Sequence, residues 1–477
     1  MVARATSMTE SARQARVTNG LEEAFRQVRT ELDVREAFPP DVLAAAEDAA
    51  RNPDLPERDE RDIPFITIDP PGAMDLDQAL HLERTPGGYR VRYAIADVPA
   101  FVTPGGPVDT ESHARGQTIY CPDTRVPLHP PAISEDAASL LPEQDRPAYV
   151  WDIELDDDGA RRSQTVYRAM VRSRRRLTYT EVQSAVDAGT GGELLELLRE
   201  VGRLRIARES ARGGASLPMP EQEVHRDEGT YRLELRPVLE AEEWNAQVSL
   251  LTGIAAAHIM LDGGIGILRT MPPAAPAAVT RFRREAEALG ARWPEDLPYG
   301  DFLRSLDHDD PRHLAIIHEA TALFRGSGYT AFDGEAPADR VQAAIAAPYA
   351  HTTAPLRRLV DRYSLAVCES LASEREVPTW TRSALGDLPA TMAASGQRAS
   401  AVERECTNAV EAAVVSHRVG ELFDAVVVDA NGSGLDLLLT EPAITARADG
   451  DAGPGDRVRA ELVTADVTAR EIRFVVR

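Results

Sequence analysis

The chain contains no lysine. Every cationic side chain other than histidine is therefore an arginine, a planar and permanently charged guanidinium suited to forking onto carboxylate or phosphate. Cysteine is almost as scarce: Cys121, Cys368 and Cys406 are scattered and odd in number, which excludes a disulfide framework and a four-ligand zinc site. Aromatic residues make up only 5% of the chain. Together with the abundance of alanine and arginine, this matches a bias of nucleotide composition and carries no functional weight. Long apolar runs are missing too. The longest uncharged one, Val248 to Leu261, falls short of the roughly 20 residues of a membrane span. The opening MVARATSMTESARQAR has no apolar core of a signal peptide, so the expectation is a cytoplasmic, reduced protein with no membrane partner. Positive charge is outnumbered, 53 basic against 77 acidic residues and a net charge of −24. Such a field repels nucleic acid as a whole, and an RNA partner then requires a local basic channel. Internal repeats, G-x-S-x-G and H-E-x-x-H are all absent, and the histidines, His113 and His351 among them, show no metal-ligand pairing. DGGIGILR lacks the glycine spacing of a phosphate-binding loop and reads as a turn entering a strand.

What is present is ordinary globular material. With 477 residues, 43% hydrophobic and 27% charged, the chain has enough for roughly two to four folding units, and wholesale disorder is excluded. Residues 1–60 form a helical lead segment: LEEAFRQVRTELDV and PPDVLAAAEDAARN have apolar positions at helical spacing, closed by NPDLPERDERDIP. From Phe65 strands take over in FITID, in ALHLERTPGGYRVRYAIADV with TPGG as a hairpin turn, and in AYVWDIEL and QTVYRAMVRS. The middle reads as helical: TYTEVQSAVDAG after a threonine cap, GELLELLREVGRLRIARESARGG, and EEWNAQVSLLTGIAAAHIML as a buried helix. Helices follow at TRFRREAEALG, HLAIIHEATALFRG, PLRRLVDRYSLAVCESLA and MAASGQRASAVERECTNAVEAAVVSHRVG. After Gly420, LFDAVVVDA, LDLLLTE, DRVRAELVTAD and EIRFVVR form a small closed β-barrel over residues 420–477.

Asp69, Asp75 and Asp77 crowd one loop, IDPPGAMDLDQAL. In an extended MDLD, Asp75 and Asp77 share a face, and carboxylates that close raise one another's pKa unless a cation neutralises them. Hard oxygen ligands of this kind suit Mg²⁺ or Mn²⁺. A calcium loop is excluded by spacing, since the sixth position from Asp75 is Leu80 and the twelfth Pro86. By local sequence alone, a solvated acidic turn explains the three aspartates better than a metal site does. The same holds for two basic features. Arg172, Arg174, Arg175 and Arg176 in RSRRRLTY line an RNA path or form a solvated face. Arg358 and Arg362, on one helical face, form a basic wall or pair with Asp361 and Glu369.

ITIDPPGAMDLDQAL, then YAIADVPAFVTPGGPVDTESHARGQTIYCPDTRVPLHPPAISEDAASLL, resembles the signature of the ribonuclease II (RNB) family of 3′-to-5′ exoribonucleases. The likeness continues, in the family's order, through VRSRRRLTYTEV, EEWNAQVSLLTGIAAAHIML and YAHTTAPLRRLVDRY, and the tail after Gly420 is similar to the family's OB-type RNA-binding barrel. The resemblance implies an α+β fold: an RNB-type catalytic domain over residues 61–419, preceded by the helical segment and followed by the OB-like barrel, with no cold-shock barrels evident in the first 60 residues. It assigns Asp69, Asp75 and Asp77 to the Mg²⁺-binding catalytic aspartates, with Asp77 the most important. Gln78 stands at the fourth acidic position of the motif, where an amide oxygen can still ligate but brings no charge. Arg357 matches the arginine that steadies the scissile phosphate, Arg358 follows it, and Tyr120 matches a tyrosine that stacks near the 3′-terminal base. Arg174, Arg175 and Arg176 are the expected RNA-path cations. The family's second stacking aromatic should fall in GGASLPMPE, which offers Leu217 and Met219 but no ring, and an acidic position before SLLTG aligns with Ala246 or Gln247. The implied function is metal-dependent hydrolysis of single-stranded RNA to nucleoside 5′-monophosphates. The rival expectation, drawn from Gln78 and the missing ring, is an RNA-binding RNB protein with weak or no nuclease activity. Oligomeric state is not indicated by the sequence.

Overall fold

Helices come first, as the apolar spacing predicts. The structure, a computed structural model, describes residues 20–477 apart from 216–220, 228–229, 237, 308–309, 322, 324–325, 433, 440–441 and 443. Helix α1 covers 20–31 and α2 Pro40–Arg51. Leu21, Ala24, Phe25 and Val28 recur every three or four residues of α1 and are all buried, the stripe of an amphipathic helix.

A closed five-stranded barrel follows. Its strands are β1 (Phe65–Ile68), β2 (Gln78–Thr85) and β3 (Gly88–Ala96); then, after α3 (Pro107–Arg115) and the short hairpin β4 (Ile119–Tyr120) and β5 (Arg125–Val126), β6 (Asp145–Asp156) and β7 (Arg161–Leu177). The order is β1-β2-β3-β6-β7, closed by β7 running parallel to β1 while every other pair is antiparallel. TPGG makes the β2–β3 turn, with Thr85 opposite Gly88. Tyr93, Trp151 and Ile153 project from the barrel into the largest apolar core.

Helices α4 (Tyr179–Asp187), α5 (Gly192–Ala211) and α6 (Glu240–Gly263) complete that core. The predicted threonine cap is a full capping box, Thr178 with Glu181. Helix α6 buries residues on every side, from Ala241 and Trp244 to Ala257 and Met260, as its unbroken apolar sequence demands. Gly253 in its middle is a close-approach position: an added Cβ would stand 2.1 Å from the Tyr349 ring and 2.6 Å from the Ala350 carbonyl oxygen. Between α5 and α6 the chain forms a hairpin, β8 (Glu221–Asp227) and β9 (Thr230–Arg236), where the sequence reading placed no strands.

Strand β10 (Ile265–Thr270) pairs with β11 (Gly328–Asp333). Between them α7 (Pro276–Ala288), α8 (Tyr299–Arg304) and α9 (Pro311–Thr321) gather around Phe282, Phe302 and Ile316, a small separate core. The strand pair β12 (Val341–Gln342) and β13 (Ala347–Pro348), then α10 (Leu359–Ala372), α11 (Thr379–Ala384) and α12 (Leu388–Val415) lead to the second barrel. There β14 (Leu422–Asn431), β15 (Gly434–Leu439), β16 (Thr445–Asp449), β17 (Arg457–Asp466) and β18 (Glu471–Val476) close in the order β14-β15-β16-β18-β17 around Phe423, Leu437, Leu462 and Phe474. The fold is α+β, as expected, with a C-terminal OB-like barrel. Arg470, at the β17–β18 turn, reaches Glu31 of α1 at 2.7 Å and Glu405 of α12 at 3.4 Å, so the second barrel is tied to both helices. Among the described residues no helix is long and apolar enough to cross a membrane.

Candidate active site

The loop 69–77 joins β1 to β2 at one end of the first barrel, and its backbone is pinned from both sides. The Asp69 N–H donates to the Leu177 carbonyl at the end of β7 (3.0 Å). The Leu76 N–H donates to Ser139 Oγ (2.9 Å), the Ser139 hydroxyl donates to the Met74 carbonyl (2.6 Å), and the Leu140 N–H returns to the Leu76 carbonyl (3.0 Å). With the Leu76 side chain wholly buried, the carboxylates on either side are held to fixed positions.

Asp77 is 4% exposed. One of its oxygens accepts the Leu356 N–H (2.8 Å) and the other lies 3.5 Å from Arg357 Nε. Burial nevertheless pushes its carboxyl up to about 8, with the Arg357 charge pulling the other way. Asp69 is pushed up to about 7, again by burial first, and its Oδ2 has no hydrogen-bond partner. The charge of Asp75 adds to both shifts, so the three aspartates form one electrostatic unit. Asp75 itself is ion-paired with Arg125, which also holds Glu135 at 2.5 Å. Among the described residues, no three His, Cys, Asp or Glu side chains form a ready-made cage for an ion. The donor set fits a different kind of cation: Mg²⁺ is bound through one or two carboxylates and completed by water and substrate phosphate. Asp69, whose buried Oδ2 has no hydrogen-bond partner, and Asp77, with the neighbouring Asp75, are the residues that would hold such an ion.

Gln78 begins β2, and its amide is engaged at both ends. Nε2 donates to the Thr353 carbonyl (2.7 Å) and Oε1 accepts the Tyr93 hydroxyl. Arg357 is 42% exposed and lines a cleft of about 310 Å³ with Gln117, Thr118, Tyr120, Arg358, Ala399, Ser400 and Glu403. Tyr120, 53% exposed on β4, presents its ring there. The backbone binds these parts together, since the Thr118 N–H donates to the Arg357 carbonyl (2.9 Å) and the Leu359 N–H to the Gly116 carbonyl (3.0 Å). Gly116 ends α3 at φ 73° with Ser395 packed against its Cα, where a Cβ would lie 2.5 Å from the serine side chain.

The basic wall inferred from helical spacing does not form. Arg358 forks onto Asp361 (2.9 and 2.8 Å), itself wholly buried, and Arg362 is 1% exposed, bonded to Asp109 and the Tyr363 hydroxyl. Arg358 thus reaches the cleft wall as half of an ion pair, because an unpaired carboxylate at Asp361 would be too costly inside the protein. Along β7, Arg172 pairs with Asp145, Arg174 donates to the Arg61 carbonyl (2.6 Å), and Arg175 is exposed. Arg176 lies near enough to Asp69 to lower its pKa. Leu217 and Met219 lie outside the described residues. Gln247 is buried and donates to Glu209 (2.5 Å).

Several partners escaped the sequence reading. Arg125 was missed although it stands in CPDTRVPL, and its register opposite Tyr120 in a four-residue turn could have placed it beside the loop. Tyr93, Ser139 and the pair Tyr179–Asn245 (3.2 Å) carry no local signal, since each reaches the site only through the tertiary fold.

A family model of the RNB domain matches residues 57–371, and one of the RNase II-type exonuclease C-terminal S1 domain matches residues 421–477. Ribonuclease R of Escherichia coli (strain K12) is 27% identical over 418 residues, covering 80% of this chain and 50% of its own length. The chain thus spans about half the length of that relative. Among solved structures, Mycoplasma genitalium RNase R in complex with ribose methylated single-stranded RNA superposes with a TM-score of 0.85 at 17% identity, covering 95% of this chain and 77% of that one. Yeast Ssd1, a pseudonuclease, has the same fold with a TM-score of 0.69 at 16% identity, covering 88% and 54%. With the RNB model matching well over half of the residues and the S1 model taking up the tail, the chain belongs to the RNB family.

Proposed function

We propose that this chain is an exoribonuclease that hydrolyses single-stranded RNA from the 3′ end, one nucleoside 5′-monophosphate at a time, with Mg²⁺ or Mn²⁺. One observation carries the reading: Tyr120 and Arg357 line one cleft, and Asp77, from a third distant stretch of an RNB chain, lies behind Arg357, 3.5 Å from its Nε. Asp69 and Asp77, with Asp75, would hold the divalent cation. When bound, such an ion supplies Lewis-acid activation of the attacking water and of the leaving 3′ oxygen.

The remaining work falls to the chain's own side chains. Arg357, poised between Asp77 and the open cleft, forks onto the scissile phosphate and neutralises the charge that builds there in the transition state. Tyr120 offers its ring to the terminal base, a contact worth about 1–3 kcal/mol. The Leu356 N–H fixes one oxygen of Asp77, and Arg125 fixes Asp75, so neither carboxylate has to be reorganised when the phosphate arrives. Arg175 and Arg176 provide the basic strip leading towards Asp69.

The test is a gel time course on a 5′-labelled single-stranded RNA with Mg²⁺ or Mn²⁺, comparing the chain with Asp77→Asn. A ladder that shortens from the 3′ end and vanishes in the variant is the expected result. The second reading, an RNA-binding protein with weak or no nuclease activity, is favoured by the engaged amide of Gln78 and the ion pair on Asp75. Intact RNA in both metals, with binding retained, selects that reading.

A further inference from the structure

Two of the three cysteines, far apart in sequence, meet behind the cleft. Cys121 follows Tyr120 in the β4–β5 turn, its N–H bonded to the Thr124 carbonyl (2.9 Å). Cys406 lies on α12 just beyond Glu403, which with Ala399 and Ser400 makes the cleft wall across from Tyr120. Both thiols are free. They neighbour each other in one apolar cluster, Cys121 packed against the group that holds Cys406 together with Leu21, Phe25 and Val28 of α1. Arg29 of α1, 6% exposed, donates to both oxygens of Asp123 (2.8 and 3.1 Å), and its charge lies near enough to Cys121 to lower the thiol's pKa.

The two thiols are not equivalent. Cys121 is partly exposed, and the neighbouring Cys406 thiol, joined by the Arg29 guanidinium, holds it below the usual thiol range against the effect of burial. Cys406 is 1% exposed, and the neighbouring sulfur together with burial pushes it up. A partly exposed, thiolate-prone cysteine thus neighbours a buried one that holds its proton. Cys368 has no such neighbour; it is buried with its Sγ on the Ala256 carbonyl (3.6 Å).

We propose that Cys121 is an oxidation site whose sulfenic acid is resolved by Cys406, and that the resulting disulfide draws the β4–β5 hairpin onto α12 and narrows the cleft against RNA. The oxidant is a hydroperoxide. The Cys121 sulfur attacks its terminal oxygen; an S–O bond forms, the O–O bond breaks, and the leaving alkoxide or hydroxide takes up the proton the thiol gave away. The Cys406 sulfur then attacks the Cys121 sulfur; the S–S bond forms, the S–O bond breaks, and hydroxide leaves with the Cys406 proton as water. With hydrogen peroxide, two thiols and one peroxide give one disulfide and two waters, and a thiol reductant reverses the bridge. A disulfide holds its sulfurs about 2.05 Å apart and its Cα atoms within about 4.4–6.8 Å, so the bridge fastens the hairpin that carries Tyr120 to α12. Reversible bridges of this kind are compatible with a reducing compartment.

The effect on RNA rests on the functional reading above; the bridge does not. The full chain is treated with hydrogen peroxide, alkylated, digested without reduction and mapped by mass spectrometry. A linked Cys121–Cys406 peptide pair is expected, lost with dithiothreitol, absent in Cys121→Ser and Cys406→Ser, and kept in Cys368→Ser. Cys406→Ser should instead accumulate a dimedone adduct at Cys121. Free, alkylated Cys121 after peroxide, or a sulfinic acid with no linked pair, overturns the bridge. Fluorescence anisotropy with a labelled single-stranded RNA, without metal, then reads the gate: roughly tenfold weaker binding on oxidation, the size of one lost base stack, restored by dithiothreitol. A linked pair with unchanged affinity overturns the gate. A reduced chain that binds no RNA defeats the functional reading instead, and the linked peptide still decides the bridge.

Discussion

Asp77 and Gln78 are adjacent, yet one is a buried carboxylate beside a guanidinium and the other an amide bonded at both ends to the protein. Replacing Gln78 by aspartate removes the Nε2 donor from the Thr353 carbonyl and sets another negative charge beside Asp77. Leaving that carbonyl unpaired costs about 1–3 kcal/mol, so Gln78→Asp should melt below the parent chain in the absence of metal. The same carboxylate should strengthen the hold on a divalent cation. Mg²⁺ should therefore raise the melting temperature of the variant more than that of the parent, and equal increments would place Gln78 outside the ion's reach. Arg357 invites a second substitution. Arg357→Lys keeps the charge near Asp77 but loses the planar fork, so kcat should fall by about 10²–10³, the loss seen when one transition-state donor is removed, while KM for single-stranded RNA moves far less. A change confined to KM would make Arg357 a binding group only. At this scale the candidate residues were legible only through the family resemblance, because by themselves three aspartates in a loop and a cluster of arginines also fit a solvated surface. Their partners were not, since Arg125 and Tyr93 act through contacts made only when hairpin and barrel close.

Between elements, α3 and α10 are joined by the buried pair Asp109–Arg362, close behind the segment that delivers Leu356 and Arg357. Burial is the largest influence on Asp109 and pushes its carboxyl up, but Arg362 and the Gly105 N–H together outweigh it and leave the group below its ordinary 3.8. A carboxylate that holds its proton less tightly when folded stabilises the fold fully above its unfolded pKa and loses that contribution as pH falls through the lower native value. Asp109→Asn strands a buried guanidinium and should cost about 3–5 kcal/mol at pH 7. Denaturant titrations from pH 7 to acid should show the gap between parent and variant closing only below the ordinary aspartate pKa; a gap that stays constant there would deny the pair its role. Elements with strong periodicity were the readable part of this layer: α7, α9, most of α10, α12, the TPGG turn and four of the five tail strands lie where apolar spacing and turn residues put them, while β16 was not read. The closure of the first barrel was not readable, because β1 and β7 are distant in sequence and pair in parallel. Nor was the fate of Arg358 and Arg362, since Arg358 is the extended residue just before α10 and shares no helical face with Arg362, which turns inward onto Asp109.

Over the whole molecule, a charge of −24 opposes an RNA partner, and most arginines near the site are already committed to carboxylates or carbonyls. Binding must then rest on a few cations, and its salt dependence should be shallow. Each phosphate neutralised on a single strand contributes about 0.7 to the slope of log K against log salt, so three or four contacts give a slope of about −2 to −3. The end of β7 allows those contacts to be assigned individually. Arg175 is exposed, and Arg176 stands near Asp69 with only a 3.5 Å bond to the Pro70 carbonyl, whereas Arg174 is held at 2.6 Å by the Arg61 carbonyl. Arg175→Ala and Arg176→Ala should each lower the slope by about 0.7 and weaken RNA of any sequence alike, while Arg174→Ala should leave the slope unchanged and cost stability instead. Anisotropy titrations from about 50 to 200 mM salt resolve these differences. An equal loss in all three variants would mean that Arg174 leaves Arg61 when RNA arrives, and no loss in any would take the RNA path away from β7.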